Sequence, residues 1–312
     1  MSRHVVIFGY GAVGRETAAL LAGRGDRVTV AQRKSSAFLP QGCQFAAADI
    51  LDSAQAMRVS EGADAIICCL GFPYDSRIWA KAWPKAMGNL LEAAASTGAR
   101  FVFADNLYMY GPQDRPLVEN MPLTDFGRKP RIRSEVTRLW QNAHLSGKVQ
   151  AVAVRASDFY GPGVETSVLS TYGIQRLLAG KPALIPYSPD HPHDFTYVPD
   201  FARALVTLLD APLDAYGQAW HVPNAPAQTL RSLIERAAAM IGVKPRLTVL
   251  PGLLQQLGGL FNRQLYELVE MRFQTDRPYL VDGSKFAHRF WNDPASFESG
   301  LAATIAHYRT LA

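Results

Sequence analysis

A glycine-rich turn near the start of the chain carries the clearest chemical signal. The apolar run 4–8 leads into Gly9, Gly11 and Gly14, and a helical pattern follows. In such a turn the first glycine permits a tight bend, the second lets the backbone approach a pyrophosphate, and the third lets helix and strand pack closely. The helix N-terminus adds unpaired N–H groups and a positive dipole end. The spacing predicts dinucleotide binding, with an ordinary glycine-rich turn as the alternative.

The residues after the second predicted strand indicate which dinucleotide binds. Proteins that use NAD usually place Asp or Glu about 20 residues after the glycines, against the ribose 2′-hydroxyl. Here the strand ends at Gln32 and is followed by Arg33 and Lys34. A carboxylate would repel a 2′-phosphate, whereas arginine can pair with one, and Arg15 could add to the same site. We therefore expect NADP, with NAD or a solvated loop as the alternatives.

Short apolar runs alternate with helical patterns in the first half of the chain. Strands buried between two helix layers are apolar on both faces, as these runs are. An apolar stripe from Trp79 to Ala94 has helical spacing. The alternation predicts an α/β fold with a Rossmann-type doubly wound parallel sheet. The predicted strands are 4–8, 27–31, 63–69, 100–104 and 149–155.

The regular alternation of strand and helix patterns ends after Gly163, where proline-rich loops such as 185–193 appear. We therefore expect residues 1–165 to form an NAD(P)-binding Rossmann domain. Residues 166–312 are expected to form a smaller C-terminal substrate-binding lobe, some segments of which return to the Rossmann sheet. A final amphipathic helix is predicted from the spacing of four apolar residues. They are Phe297, Leu301, Ile305 and Tyr308.

Composition argues against several classes of partner. Of the 312 residues 48% are hydrophobic and the net charge is +5, without a dense basic block among aromatics, so no nucleic acid is expected. No apolar stretch approaches the ~18 residues that span a bilayer, so we expect a cytoplasmic protein without membrane contact. Cys68 and Cys69 are expected in the core. No Cys/His spacing suggests a metal site, and a small-molecule substrate is expected.

Five further segments occur in a fixed order along almost the whole chain. They are 48–50, 69–71, 103–111, 155–163 and 193–200. Together they resemble the motifs of the extended short-chain dehydrogenase/reductase family, which contains NAD(P)-dependent epimerases, dehydratases and ketoreductases. The glycine turn and the resemblance together imply a set of cofactor contacts. These are Gly9, Gly11, Ala12, Val13, Gly14, Arg15, Arg33, Lys34, Asp49, Ile50, Leu70, Gly71, Asn106, Arg133, Ala156 and Asp158.

The catalytic positions depart from the family's pattern. In the family a serine orients the substrate oxygen and a tyrosine exchanges its proton. A lysine four residues after the tyrosine holds the nicotinamide ribose. Counting from the neighbouring motifs puts Asn106 at the serine position, Lys129 at the tyrosine position and Arg133 at the lysine position. No nearby register restores Tyr-x-x-x-Lys.

The residues at those positions suggest different roles. Arg133 can hold ribose hydroxyls, but a guanidinium that is always protonated cannot exchange protons. Lys129 is expected to have its pKa lowered by burial and by like charge, towards that of a general acid or base. Asn106 can stabilise negative charge on a carbonyl oxygen. Further candidates for moving a proton are Tyr108, Tyr110, Tyr160, Asp105 and Asp158.

Structural alternatives are open for each of these residues. Lys129 and Arg133 could form a solvated basic helix start, and the tyrosines could pack in the core with satisfied hydroxyls. His191 and His193 make a poor metal pair, so loop histidines are the better interpretation.

The sequence thus predicts an NAD(P)-dependent oxidoreductase of the short-chain dehydrogenase/reductase type. It would act on a small carbonyl or hydroxyl substrate by hydride transfer, with a catalytic site that lacks Tyr-x-x-x-Lys. One alternative is a sugar-nucleotide epimerase or dehydratase, and another is a non-catalytic NADP(H) sensor. The resemblance also implies a possible homodimer through helices near 78–97 and 130–146.

Overall fold

The computed structural model describes residues 2–35, 39–250 and 263–311. The chain divides into two compact units. Unit 1 contains Met1–Met109, Leu123–Ala156 and Phe201–Trp220, and unit 2 contains Tyr110–Pro122, Ser157–Asp200 and His221–Ala312. The domain limits expected from the sequence stay a prediction.

The strands and helices alternate through most of unit 1. In chain order the strands are β1 His4–Phe8, β2 Arg27–Gln32, β3 Cys43–Ala47, β4 Ala65–Cys68, β5 Arg100–Asp105, β6 Ala151–Arg155, β7 Asp158–Tyr160, β8 Ala183–Ile185, β9 Pro192–His193, β10 Phe195–Tyr197, β11 Ala219–His221, β12 Gln228–Thr229 and β13 Leu247–Val249. The α-helices are α1 Ala12–Gly23, α2 Ser53–Val59, α3 Ser76–Thr97, α4 Lys129–Leu145, α5 Gln175–Leu178, α6 Val198–Asp210, α7 Leu230–Ile241, α8 Arg263–Glu270, α9 Ser284–Arg289 and α10 Phe297–Arg309.

A seven-stranded sheet forms the centre of unit 1, with the strand order β11-β6-β5-β4-β1-β2-β3. The pairs that β1 forms with β2 and with β4 are parallel, as are the pairs of β4 with β5 and of β5 with β6. Every residue of β1, β4 and β6 is buried, as expected for strands covered on both faces. The predicted Rossmann-type sheet is confirmed. Its strand order reverses beside β1, where ligands bind in sheets of this kind.

Helix α3 has the buried stripe that its spacing predicts. It begins where the Asp75 carboxylate accepts a hydrogen bond from Arg77 N and ends at Gly98, which has a φ of +70°. Its buried face includes Trp79, Trp83 and Leu90. These side chains belong to the same core cluster as residues of β1, β4 and β5.

Unit 2 has its own core and three small sheets. Parallel pairs form between β7 and β10 and between β8 and β13, and an antiparallel pair forms between β9 and β12. The final amphipathic helix is confirmed as α10. Its four predicted apolar residues are all buried, and the Tyr308 hydroxyl donates to Val164 O at 3.0 Å.

Two sequence expectations need adjustment at the residue level. Cys68 is fully buried in β4, whereas Cys69 is only half-buried, because it lies in the loop that begins after the strand. Burial raises the pKa of the Cys68 thiol to about 12. Strand β3 has no fully buried residue, since it is the edge strand of the sheet, and this explains its absence from the apolar runs.

No helix in the described parts of the chain is both long enough and apolar enough to cross a membrane.

Candidate functional site

The turn after β1 requires glycine at two positions. Gly9 has a φ of +97°, and a Cβ placed on it would lie 2.5 Å from the backbone oxygen of Cys69. A Cβ on Gly14 would lie 2.1 Å from the backbone oxygen of Gly9. Real Cβ atoms do not approach so closely, so both positions exclude any side chain. The turn is therefore held tightly against the loop that follows β4.

The space in front of Gly11 is open by contrast. A Cβ on Gly11 would meet nothing within 4 Å. Helix α1 begins at Ala12, and no side chain caps its N-terminus. The first N–H groups of a helix have no partner within it, so those of Ala12 and Val13 face this space with the positive end of the helix dipole. The turn therefore fits an anion such as the pyrophosphate of a dinucleotide.

The loops after β2, β3 and β4 hold the other residues predicted to contact a cofactor in unit 1. Arg33 and Lys34 are exposed, and the Gln32 side chain fixes their turn by donating to Lys34 O at 2.7 Å. After β3, the Asp49 carboxylate accepts from Leu51 N at 3.0 Å and Ile50 is buried. The remaining residues in these loops and beside the turn are Arg15, Leu70 and Gly71, of which Gly71 is exposed and the other two are half-buried.

Helix α4 buries the two cations that stand at the family's tyrosine and lysine positions. Lys129 is 0% exposed and Arg133 is 1% exposed. The interpretation of this segment as a solvated basic helix start is therefore wrong for these two residues. It fits Arg131, which lies between them and is exposed.

Arg133 belongs to a buried cluster of three charged residues. Its Nη2 atom forms an ion pair with Asp105 Oδ1. The other carboxylate oxygen, Oδ2, lies 3.1 Å from Nε of Arg155, whose Nη2 donates to Thr137 at 3.1 Å. Two cations thus share one carboxylate, and the cluster keeps a net positive charge.

The Arg133 guanidinium also packs on aromatic rings. Its centre lies 4.2 Å from the ring centroid of Trp83 and 5.0 Å from that of Phe103. Among the described residues, none forms a hydrogen bond with its Nε or Nη1 atom. From the sequence, Asp105 was predicted only as a proton relay. The signal for the ion-pair cluster was the placement of Asp105 and Arg155 at the ends of neighbouring strands.

Asn106 is held in a defined orientation beside that cluster. Its backbone N–H donates to Asp105 Oδ1 at 2.8 Å, and its side-chain oxygen accepts from Tyr108 N at 3.1 Å. With Oδ1 used as an acceptor, the amide Nδ2 group is directed elsewhere as a donor. The Tyr108 ring is half-buried and stacks on Trp79, with centroids 6.1 Å apart. Asn106 thus retains the donor that its predicted role requires.

Two of the other candidate tyrosines are core residues. Tyr110 and Tyr160 are each 1% exposed. The Tyr110 hydroxyl lies 2.9 Å from Nε2 of His221, and burial raises the pKa of Tyr160 well above its usual value. The packing alternative therefore holds for both.

The last two predicted cofactor contacts lie where the chain passes from unit 1 to unit 2. Ala156, in unit 1, is buried and donates its N–H to Asp105 O at 3.2 Å. Asp158, in unit 2, lies 3.1 Å from Nε2 of His193. Nδ1 of that histidine lies 3.1 Å from Gln274 O, which makes Nδ1 the donor nitrogen. His193 is 5% exposed and lies in strand β9, so it is a buried strand residue beside Asp158 rather than a loop histidine.

Unit 2 has a cavity of about 520 Å³ that is open to solvent. Its polar lining includes Asp194, Asn224, Asp282, Ser284, His288 and Asn292, and among the described residues no lysine or arginine lines it. Asp194 is 6% exposed, and burial raises its pKa to about 6. In the described residues, no group of three or more His, Cys, Asp or Glu side chains is arranged to hold a metal ion.

Comparison with known families agrees with this geometry. A model of the NAD dependent epimerase/dehydratase family matches residues 5–222, which is more than half of the chain. The chain belongs to this family. The matched region contains the glycine turn, the α4 cations and the segments that carry the sequence motifs, and the family is one of enzymes. A search of curated protein sequences gives no significant match.

Solved structures share the fold over almost the whole chain. UDP-glucuronic acid 4-epimerase from Bacillus cereus, crystallised with NAD, is 17% identical with a TM-score of 0.79, and 99% of each chain is covered. The dTDP-glucose 4,6-dehydratase from Bacillus anthracis, also with NAD, is 15% identical with a TM-score of 0.81, covering 99% of this chain and 97% of that one. The enzyme WbmH from Bordetella bronchiseptica, with NAD+, is 20% identical with a TM-score of 0.76, covering 98% of both chains.

Proposed function

We propose that the protein is an NADP-preferring oxidoreductase that acts on a small carbonyl or hydroxyl substrate. The observation that carries this proposal is the turn from Gly9 to Gly14. Two of its glycines exclude side chains, and the third opens onto the unpaired N–H groups of α1. Such a turn fits the pyrophosphate of a dinucleotide. When bound, the nicotinamide cofactor would supply the hydride.

The chain's own residues would handle the substrate oxygen. The Nδ2 group of Asn106 can donate a hydrogen bond to an oxygen that gains negative charge. The net positive charge of the Asp105, Arg133 and Arg155 cluster also favours negative charge on that oxygen. Lys129 is the candidate proton-handling group on α4. This site would work without a tyrosine on α4.

The preference for NADP is supported by the residues after β2. Exposed Arg33 and Lys34 follow the strand. Gln32 lies where NAD-binding proteins have an acidic residue that accepts a hydrogen bond from the ribose 2′-hydroxyl. The cofactor in the structures named above is NAD. The preference is therefore a property that we propose for this chain's own loop.

The cofactor preference is tested by measuring the Kd of NADPH and NADH. Arg33→Ala should weaken NADPH binding about tenfold and leave NADH binding unchanged, because an ion pair to a 2′-phosphate is absent with NADH. Arg58→Ala removes an exposed cation from α2 and serves as the control. A wild type that prefers NADH, or an unchanged preference in Arg33→Ala, would contradict the proposal.

The oxidoreductase activity is tested by incubating the protein with NADPH and a panel of quinones, ketones and aldehydes. Oxidation is followed at the reduced-nicotinamide absorbance band. Asn106→Ala should lose turnover and Lys129→Met should lower it, whereas Arg131→Met, which removes an exposed cation from the same helix, should retain it. Tight NADPH binding without turnover on any substrate of the panel would count against an oxidoreductase.

A non-catalytic NADP(H) sensor is the second candidate function. It is favoured by the burial of Lys129 and Arg133 and by the pairing of Arg133 with Asp105, which is the arrangement of a structural core. Sugar-nucleotide chemistry fits this chain less well. The cavity in unit 2 is lined by Asp194 and Asp282, and its lining among the described residues contains no lysine or arginine that could pair with a pyrophosphate.

A further inference from the structure

Lys129 is too deeply buried to contact a substrate itself. Its side chain is 0% exposed, so a proton that it influences must pass through a neighbouring group. Its Nζ atom lies 4.5 Å from the ring centroid of Tyr74. Tyr74 is half-buried, so it retains some exposed surface. A buried ammonium group thus lies next to a phenol ring that is partly exposed to solvent.

The position of Tyr74 in unit 1 brings it to the edge of the sheet where ligands bind. It lies in the loop between β4 and α3, three residues after Gly71. That loop begins at Cys69, whose N–H donates to Phe8 O at 2.8 Å, directly before the glycine turn. Because β1 and β4 are neighbours, the turn and the Tyr74 loop leave the same edge of the sheet.

The Tyr74 loop is anchored by an aromatic contact and a hydrogen bond. Trp79 donates its indole N–H to Pro73 O at 3.0 Å. The Trp79 ring packs edge-on against the Tyr74 ring, with centroids 5.6 Å apart. These contacts hold the phenol at a fixed distance from Lys129, which enters from the first turn of α4. A fixed distance matters because electrostatic coupling between the two groups falls as they separate.

A positive charge held over a phenol ring stabilises the phenolate relative to the phenol. The effect is strong where the charge is buried, because water and salt screen it poorly there. Lys129 therefore makes Tyr74 a better proton donor at neutral pH than an isolated tyrosine. An isolated tyrosine has a pKa of about 10 and gives up its proton reluctantly.

From this geometry we infer that Tyr74 is the proton donor of the site and that Lys129 is its positioning residue. This inference rests on the proposed oxidoreductase function and names its missing proton donor. In the step, the O–H bond of Tyr74 breaks and its proton passes to a substrate oxygen that is gaining negative charge. The electron pair of that bond stays on Tyr74 as a phenolate beside the Lys129 ammonium. A proton from bulk solvent then returns to the phenolate, so the step consumes one proton from solution overall.

The other tyrosines near this edge are less suited to the role. The Tyr108 ring is stacked on Trp79, and Lys129 lies over Tyr74. Tyr110 is buried with its hydroxyl against His221. Asn106 would then orient the oxygen that Tyr74 protonates.

The decisive experiment measures the titration of Tyr74 by NMR in protein labelled with carbon-13 at the tyrosine Cζ atoms, assigned with Tyr74→Phe. The pKa of Tyr74 should lie below the usual tyrosine value of about 10 and should rise in Lys129→Met. Arg131→Met, which removes an exposed cation from α4, should leave the titration unchanged. A Tyr74 that titrates near 10 in both wild type and Lys129→Met would overturn the inference.

Turnover provides a second readout. Tyr74→Phe should lower kcat about a hundredfold or more, the usual size of a general-acid contribution, with an unchanged Kd for NADPH. In Lys129→Met the fall of kcat at high pH should move to higher pH. Tyr172→Phe, at an exposed site in unit 2, is the control. Full kcat in Tyr74→Phe would also overturn the inference. If no substrate is turned over, the oxidoreductase proposal fails, and the titration then shows separately whether Lys129 lowers the pKa of Tyr74.

Discussion

Each unit of the molecule buries a carboxylate group whose surroundings differ from those of the other. In unit 1 the carboxylate of Asp105 is surrounded by Arg133 and Arg155, and Lys129 is buried on the same helix as Arg133. In unit 2 the buried carboxylate of Asp194 accepts a hydrogen bond from Val281 N at 2.7 Å. Among the described residues, no lysine or arginine forms an ion pair with it. Unit 1 is therefore suited to an anionic ligand, whereas the unit 2 cavity is suited to an uncharged or cationic one.

This difference in buried charge indicates which of the two units can accommodate a negatively charged ligand. A dinucleotide brings a pyrophosphate, and a phosphate needs backbone N–H groups or cations. The open space at Gly11 supplies the first, in unit 1. In the part of unit 2 that the structure describes, neither lysine nor arginine lines the cavity. Three substitutions test whether the contrast is real.

The largest effect is expected from Asp105→Asn. It leaves two buried arginines without their shared carboxylate, and breaking a buried ion pair in this way costs about 3–5 kcal/mol. The measurement is the free energy of unfolding by urea. Asp125→Asn, which alters an exposed carboxylate 3.8 Å from Arg138, should have no measurable effect. Equal stabilities for Asp105→Asn and wild type would show that the unit 1 cluster is not a structural element.

A smaller effect is expected from Asp194→Asn, and it should depend on pH. The pKa of Asp194 is raised to about 6 in the folded protein, so the folded state retains a proton that the unfolded chain has lost. This carboxyl group therefore stabilises the fold fully below about pH 4, and the contribution is lost as the pH rises through about 6. Asparagine keeps an acceptor for Val281 N without becoming charged.

The Asp194→Asn variant should match wild type near pH 4 and exceed its unfolding free energy at about pH 8, by up to about 3 kcal/mol. Asp190→Asn is the control, since Arg231 lies 2.6 Å away and its hydrogen bond lowers the pKa of Asp190. That variant should gain no stability at neutral pH. A stability difference between wild type and Asp194→Asn that is constant with pH would remove the contrast between the units.

The smallest effect on the fold is expected from Gly11→Ala, which should act on the ligand instead. The added Cβ meets no protein atom within 4 Å, so unfolding should be nearly unchanged. The Kd for NADPH should rise about tenfold, because the methyl group occupies the space of the pyrophosphate. Gly23→Ala at the other end of α1, also without contacts, is the matched control. An unchanged Kd would show that the anion does not approach Gly11.

The sheet and the phosphate turn could be predicted from the sequence because their signals are local. Each strand of the run from β1 to β6 that is buried on both faces appears as an apolar segment. Gly9 has a positive φ, and Gly14 packs against Gly9. These constraints lie within a few residues of one another.

The contacts among the buried charged residues at this edge of the sheet could not be predicted in the same way. Arg133 and Arg155 meet Asp105 across separations of 28 and 50 residues, and Lys129 meets Tyr74 across a similar distance in sequence. Nothing local distinguishes a buried lysine from a solvated one at a helix start. Tyr74 carried no motif, so only its contact with Lys129 singled it out.

The Asp105 cluster also has a consequence for how unit 1 folds. Its three members come from β5, α4 and β6, and each is buried. Burying any one charge without its partners is strongly unfavourable, so we expect intermediates that contain only two of these elements in place to be sparsely populated. The strand pair and its crossover helix should thus form as one cooperative block. Local unfolding at this edge would then require β5, α4 and β6 to unfold together, so the backbone beneath the site should be rigid.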